Sequence, residues 1–184
     1  MRIISGRARG SQIFAPKGMD TRPTLDQVRE ALFNILQGKV EGTRVLDLFA
    51  GSGALGLEAV SRGAAHAALC DVAPEPIDVI RRNVHKLGFD AQITIVRADW
   101  RKAAQRLQRE GERFTLVFLD PPYRMTETGK VCAVLAEANL LEPDCLLVIE
   151  HDQSTPPCLP ERFRQTDARA YRDTGITFVR YEGG

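Results

Sequence analysis

A doubly wound α/β domain is the fold this sequence predicts: a mostly parallel sheet with a C-terminal antiparallel hairpin and an N-terminal β-hairpin extension. Three observations carry the prediction. From Arg44 onward, short apolar runs alternate with helical stretches. The runs are nearly continuous in apolar residues, which implies strands buried on both faces and clothed by helices. The first run also opens into a glycine-rich loop ahead of a helix, in VLDLFAGSGALGLEA, residues 45–59.

The elements follow in order. The β-prone pieces IIS and QIF, separated by GRARG, read as a small hairpin. Residues 20–23 are turn-like. Thr24-x-x-Gln27 then matches a capping box ahead of a helix. Its apolar residues Val28, Ala31, Leu32, Ile35 and Leu36 recur at helical spacing, with Arg29 and Glu30 off that face. Strands are predicted at 45–49, 67–70, 93–96, 116–119 and 146–149, with helices at 54–61, 76–87, 101–109 and 127–138. Pro74 and Pro76 suit a first helical turn, where a missing N–H costs least. Residues 163–171 and 176–181, joined across Asp173-Thr174-Gly175, predict the closing hairpin. The division that follows is residues 1–24 as a basic extension and 25–184 as the main domain.

Composition narrows the class. The 184 residues are 43% hydrophobic and 27% charged, an ordinary globular balance with chain enough for one full core. No apolar run approaches the roughly 18 residues needed to cross a bilayer, and MRIISGRARG lacks the apolar stretch of a secretory signal. These features predict a cytoplasmic protein with no membrane partner. Cys70, Cys132, Cys145 and Cys158 form no CxxC pair, and His66, His85 and His151 are scattered. Free thiols and no metal are therefore expected. The net charge of +1 conceals an asymmetry. Residues 1–25 hold five basic groups against one acid, net +4, while the other 159 hold 20 basic and 23 acidic groups, net −3. A basic arm on a mildly acidic body suits either a polyanionic partner or a solvated terminus.

The loop matches G-x-G-x-x-G at Gly51, Gly53 and Gly56, a pattern that serves a nucleotide or merely a tight strand-to-helix turn. Two acids sharpen that choice. Asp47 sits inside the strand, where a carboxylate is costly unless a cationic ligand or another group satisfies it. Asp71 ends the next strand, twenty residues after Gly51, placed to accept hydrogen bonds from ribose hydroxyls. Asp99 either reaches an adenine amino group, with Trp100 as a stacking wall, or caps the following helix. A pyrophosphate fits poorly among carboxylates, whereas the sulfonium and ammonium of S-adenosylmethionine fit well. The acids thus favour that cofactor over a nicotinamide dinucleotide.

The run TLVFLDPPYR, residues 115–124, ends its strand on Asp120. Two proline rings fix the local backbone, so the Pro121 carbonyl is held beside the Asp120 carboxylate. Two fixed acceptors can bind both N–H groups of a nucleobase amine and turn its lone pair toward an electrophile. Pro122 rigidifies the turn and Tyr123 can stack on the base, which must be flipped out or unpaired to arrive. A rigid turn with Tyr123 covering the core is the other reading.

Residues 45–123 resemble the catalytic domain of S-adenosylmethionine-dependent, Rossmann-like methyltransferases acting on nucleobase amines, with VLDLFAGSG preceding DPPY. MRIISGRARG, TRPTLDQVREALFNIL and VLDLFAGSGALGLEAVSRGA, with the tail YRDTGITFVRYE, resemble the bacterial (RsmD-like) family that methylates guanine N2 in 16S ribosomal RNA. The resemblance implies that Asp120, Pro121, Pro122 and Tyr123 handle guanine. It implies cofactor contacts from Asp47, Ala50, Gly51, Ser52, Gly53, Asp71, Val72, Asp99 and Trp100. Arg7, Arg9, Lys17, Arg22 and Arg124 would contact RNA, Arg22 alternatively the cofactor pocket. The implied product is S-adenosylhomocysteine, and the implied partner is 16S rRNA in a small subunit or assembly intermediate, met by a monomer. One departure is Asp71-Val72-Ala73-Pro74, where the family has glutamate and a charged or polar pair. Rival readings are a DNA or RNA adenine-N6 methyltransferase, a protein glutamine methyltransferase, a non-catalytic RNA-binding or assembly module, and a nicotinamide-dependent oxidoreductase.

Overall fold

The computed structural model describes residues 1–19 and 23–183. Its strands are β1 (Arg44–Asp47), β2 (His66–Asp71), β3 (Ile93–Arg97), β4 (Phe114–Leu119), β5 (Leu141–Asp152), β6 (Phe163–Tyr171) and β7 (Thr174–Tyr181). They form one seven-stranded sheet in the order β3-β2-β1-β4-β5-β7-β6. Neighbours from β3 to β5 are parallel, and β7 runs antiparallel between β5 and β6. The helices are α1 (Pro23–Ile35), α2 (Ala54–Ser61), α3 (Pro74–Leu87), α4 (Trp100–Arg109) and α5 (Thr128–Glu137).

Alternate strand residues point to opposite faces, and here both faces are covered. Val45, Leu69, Leu116 and Phe118 pack with α1, α2 and α3, while Leu46, Val117 and Leu119 pack with α4 and α5. That double burial is why the strands read as continuous apolar runs.

Three local expectations change. Helix α1 starts at Pro23, a favoured first position, so Thr24 lies within its first turn and not before it. Its most buried residues are Arg29, Leu32 and Phe33, continued by Leu36 just past its end, a stripe turned one position from the expected one. Phe33 packs on Phe118 with ring centroids 5.8 Å apart. Arg29, only 6% exposed, donates to the Arg2 carbonyl (2.5 Å) and pairs with Asp26 (3.1 Å). The closing turn is Arg172-Asp173, with Tyr171 opposite Thr174 and Arg172 at φ 56°. Gly175 belongs to β7 instead. It faces His151, whose ring would lie 2.3 Å from an added Cβ, so close packing explains this glycine. At the sheet's far edge, β6 shifts register between Gln165 and Asp167.

The N-terminal hairpin is narrow, with a single bridge between Arg2 and Gln12. It is not a loose arm. Ile3 and Ile13 are buried in the same core as Leu32 and Leu57. Glu58 of α2, fully buried, accepts the N–H groups of Ile4 (2.8 Å) and Ser5 (3.0 Å) and pairs with Arg62 (2.8 Å). Glu58→Ala leaves two backbone donors and a cation uncompensated, so it is expected to lower stability by about 3–5 kcal/mol. Urea unfolding of both proteins measures this, and a loss below about 1 kcal/mol would show the hairpin docks without that anchor.

Candidate active site

The glycine loop is built around close approach. Gly53, at φ 81°, heads α2. Gly56 lets α2 lie against β2, since an added Cβ would fall 2.1 Å from Leu69 Cδ2. The Gly56 N–H donates to Oδ2 of Asp47 (3.3 Å), and Asp47 is 1% exposed. Its Oδ1 is buried with no partner among the described residues. Burial pushes the Asp47 carboxyl up to about 8, with the charges of Asp120 and Asp71 adding to the rise. A half-satisfied buried acid fits a cationic group, whose charge would lower that pKa again.

Asp71 fastens the loop from β2. Its Oδ2 accepts the Gly51 N–H (3.0 Å) and its Oδ1 the Ala73 N–H (3.0 Å). Each oxygen keeps a second lone pair for a hydroxyl donor, and Val72 beside it is exposed. Asp99 caps α4 by accepting from Arg101 (3.0 Å) and Lys102 (3.2 Å) through Oδ1. Trp100 packs toward the α4–α5 layer beneath the Arg101 guanidinium, 4.2 Å from its ring centroid.

The DPPY segment leaves the end of β4. Its turn is closed by the Met125 N–H on the Pro122 carbonyl (2.8 Å), which leaves the Pro121 carbonyl outside that bond. Tyr123 is 69% exposed. Leu119 and Ile149 are partners across β4 and β5. The next residues, Asp120 and Glu150, therefore leave adjacent strand ends side by side. Both open into a cavity of about 390 Å³ lined also by Ala50, Gly51, Ser52 and Tyr123, with Asp26 and Arg29 on one rim and Tyr171 to Thr174 on another. Asp120 is exposed to the crevice yet densely surrounded by protein. The surrounding protein raises its pKa, and solvent from the open side tempers that rise. Burial and the Asp120 charge raise Glu150 as well, so the two do not readily ionise together.

The sequence-predicted residues are thus only partly gathered. Ala50, Gly51, Ser52, Asp120 and Tyr123 line one cavity. Asp47 and Asp71 support the loop from behind, and Asp99 and Trp100 stand further along the strand ends. Lys17 and Arg124 are exposed, Lys17 donating its N–H to Glu75 (2.9 Å) near the start of α3. Arg7 and Arg9 lie at the opposite end of α2. The Arg7 N–H bonds the Ser61 carbonyl (2.9 Å), its guanidinium lies over Phe89 (4.4 Å), and it bonds Gln92. Arg9 lines a separate depression of about 500 Å³ of mixed charge, with Glu30, Glu41 and Arg62. Arg22 is outside the described residues.

Glu150 is the site residue that the sequence reading missed. Its signal was present: the run 146–149 ends on an acid just as 116–119 does. Arg172 and Thr174, from the β6–β7 turn, were also missed. Among the described residues no helix is long and apolar enough to cross a membrane, and no group of three or more potential ligands is placed to hold a metal.

A parallel sheet with one inserted antiparallel strand, a glycine loop after β1 and acids at successive strand ends define the Rossmann-like methyltransferase fold. The chain belongs to the family described as conserved hypothetical protein 95, which matches residues 1–180. It is 35% identical to Bacillus subtilis (strain 168) YlbH over 186 residues, covering 100% of both chains. It is also 35% identical to the ribosomal RNA small subunit methyltransferase D of Escherichia coli (strain K12) over 152 residues, 83% of this chain and 75% of that one. The solved structure of Escherichia coli yhhF superposes with a TM-score of 0.87 at 26% identity, covering 100% of this chain and 99% of that one.

Proposed function

We propose that this protein is an S-adenosylmethionine-dependent rRNA methyltransferase that modifies the exocyclic N2 amino group of a flipped-out guanine in 16S ribosomal RNA. The observation that carries the reading is the placement of Asp120 and exposed Tyr123 on the crevice shared with the glycine loop, with the Pro121 carbonyl left outside the bond that closes their turn. Relatives named ribosomal RNA small subunit methyltransferase D support the substrate class. The bound cofactor supplies an electrophilic methyl group on a sulfonium. Asp47, Gly51, Gly53 and Asp71 would hold it, Asp47 from behind the loop through the charge of its buried, unpartnered oxygen.

Asp120 and the Pro121 carbonyl each accept one N–H of the guanine amine. This turns the nitrogen lone pair out of conjugation and toward the methyl group. As the N–C bond would form, the sulfonium C–S bond would break to leave S-adenosylhomocysteine, and the nitrogen would pass its surplus proton to the Asp120 carboxylate. Catalysis is thus positioning with electrostatic stabilisation. Tyr123 stacks on the base and stabilises its extrusion from the helix. Arg172 lines the cavity, Lys17 and Arg124 are exposed, and all three suit flanking phosphates, with Arg9 lengthening the footprint along the hairpin. Such a small reading surface suits a target recognised by RNA shape within a small subunit or assembly intermediate.

Deleting the gene and mapping 16S rRNA by mass spectrometry tests the reading. One guanine should lose an N2-methyl group, restored by the wild-type gene. Loss at an adenine, or no loss, would overturn it.

A further inference from the structure

We propose that Glu150 is the residue that makes the site select guanine, by accepting the N1–H next to the N2 amine held by Asp120. The inference rests on the guanine-N2 reading above and deepens it.

The placement is fixed by the sheet. Asp120 and Glu150 follow directly on the paired residues Leu119 and Ile149, so they emerge from neighbouring parallel strands at the same level. β5 is held on its other side by β7, where Glu150 pairs with Ile176, so the Glu150 backbone is fixed in that ladder one residue past the last β4 pairing. Both carboxylates and Tyr123 open into one cavity. In the proposed pose a base stacked on Tyr123 with its amine on Asp120 presents N1, one of the two ring positions flanking the amine, to Glu150.

What occupies that ring position differs between the purines. Guanine offers an N1–H donor beside its 2-amino group. Adenine offers a bare N1 lone pair beside its 6-amino group. Guanine brings a donor to each acid, which lets both ionise in the complex. The Glu150 carboxylate then makes a charge-assisted hydrogen bond with N1–H, whereas it would meet a repelling lone pair in adenine. Among the described residues, no hydrogen bond stabilises the charged form of either acid. The N1–H supplies the missing donor to one, and the amine supplies it to the other. Polar groups left unmatched by the wrong ligand are what give such sites strong discrimination.

The test uses 16S rRNA carrying guanine or 2-aminopurine at the mapped target position, assembled into small subunits from a strain lacking the gene. 2-Aminopurine keeps the 2-amino group and replaces N1–H with a lone pair. The full-length wild-type enzyme should methylate guanine at least about 100-fold faster in kcat/KM. In Glu150→Gln the ratio should fall below about tenfold, because an amide can turn its oxygen to N1–H or its N–H to the lone pair. Glu150→Asp should keep the guanine preference at a reduced rate, which separates a lost carboxylate from a disturbed fold. Wild-type enzyme that methylates both bases equally would overturn the inference, as would a wild-type ratio retained in Glu150→Gln. Failure to methylate the guanine substrate at all, or methylation of an adenine, would instead overturn the function proposed above.

Discussion

Asp120→Ala lowers methyl transfer to RNA by roughly 10²–10³-fold or more, with cofactor affinity changed only a few-fold. The magnitude is that of removing a preorganised partner of the reacting group. In the proposed complex the side chain meets the amine and not the glycine loop, so binding of the methyl donor is spared. Single-turnover transfer with labelled cofactor, together with calorimetric titration of the cofactor alone, separates the two effects. A variant with undiminished transfer would sink the amine-positioning role. The pH dependence has a definite sign. In the proposed role Asp120 accepts a hydrogen bond as the carboxylate, and the surrounding protein raises its pKa. Single-turnover transfer should therefore rise with pH through that raised value and then level off.

Asp47→Asn is the second large effect, on binding instead of transfer. The amide oxygen still accepts the Gly56 N–H, but the charge that faces a cationic ligand is lost. Cofactor affinity should fall about 10–100-fold, the worth of one hydrogen bond to a charged group. A linked proton gives a second readout. The folded carboxyl sits at about 8 against an ordinary value of 3.8. Its stabilising contribution is therefore complete below about 4 and lost as pH rises toward 8. The cofactor-free protein should be less stable at pH 8 than at pH 5 on this account, and Asp47→Asn should flatten that slope. Cofactor binding favours the ionised acid, so below pH 8 it should release a proton, measurable as a buffer-dependent heat. Identical heats in buffers of different ionisation enthalpy would show that Asp47 does not change state.

Much of this was legible in the residues. Strands buried on both faces announce themselves as runs such as Leu116–Leu119, and Gly51, Gly53 and Gly56 mark the loop because close approach leaves few substitutes. What stayed hidden depended on neighbours far along the chain. Glu150 gains its meaning only from the pairing of β5 with β4. Periodicity put Arg29 on an outer face because it cannot register a carbonyl from Arg2 waiting for a guanidinium. The hairpin looked like a basic arm because charge is visible in sequence, whereas its attachment runs through Glu58, more than fifty residues away. Gly175 looked like a turn glycine for a similar reason, since nothing local reveals the His151 ring opposite.

The irregular outer strand β6 has a consequence for the protein's colloidal behaviour. An edge strand offers a row of unpaired backbone groups on which a foreign strand can template. Here the row is kinked between Gln165 and Asp167 and charged by Arg164, paired with Glu182 (2.7 Å), and Arg169, paired with Asp167 (2.9 Å). An incoming strand would have to match a broken ladder and strip water from two ion pairs. The sheet thus carries a terminator at its β6 edge, which guards that edge against edge-to-edge aggregation.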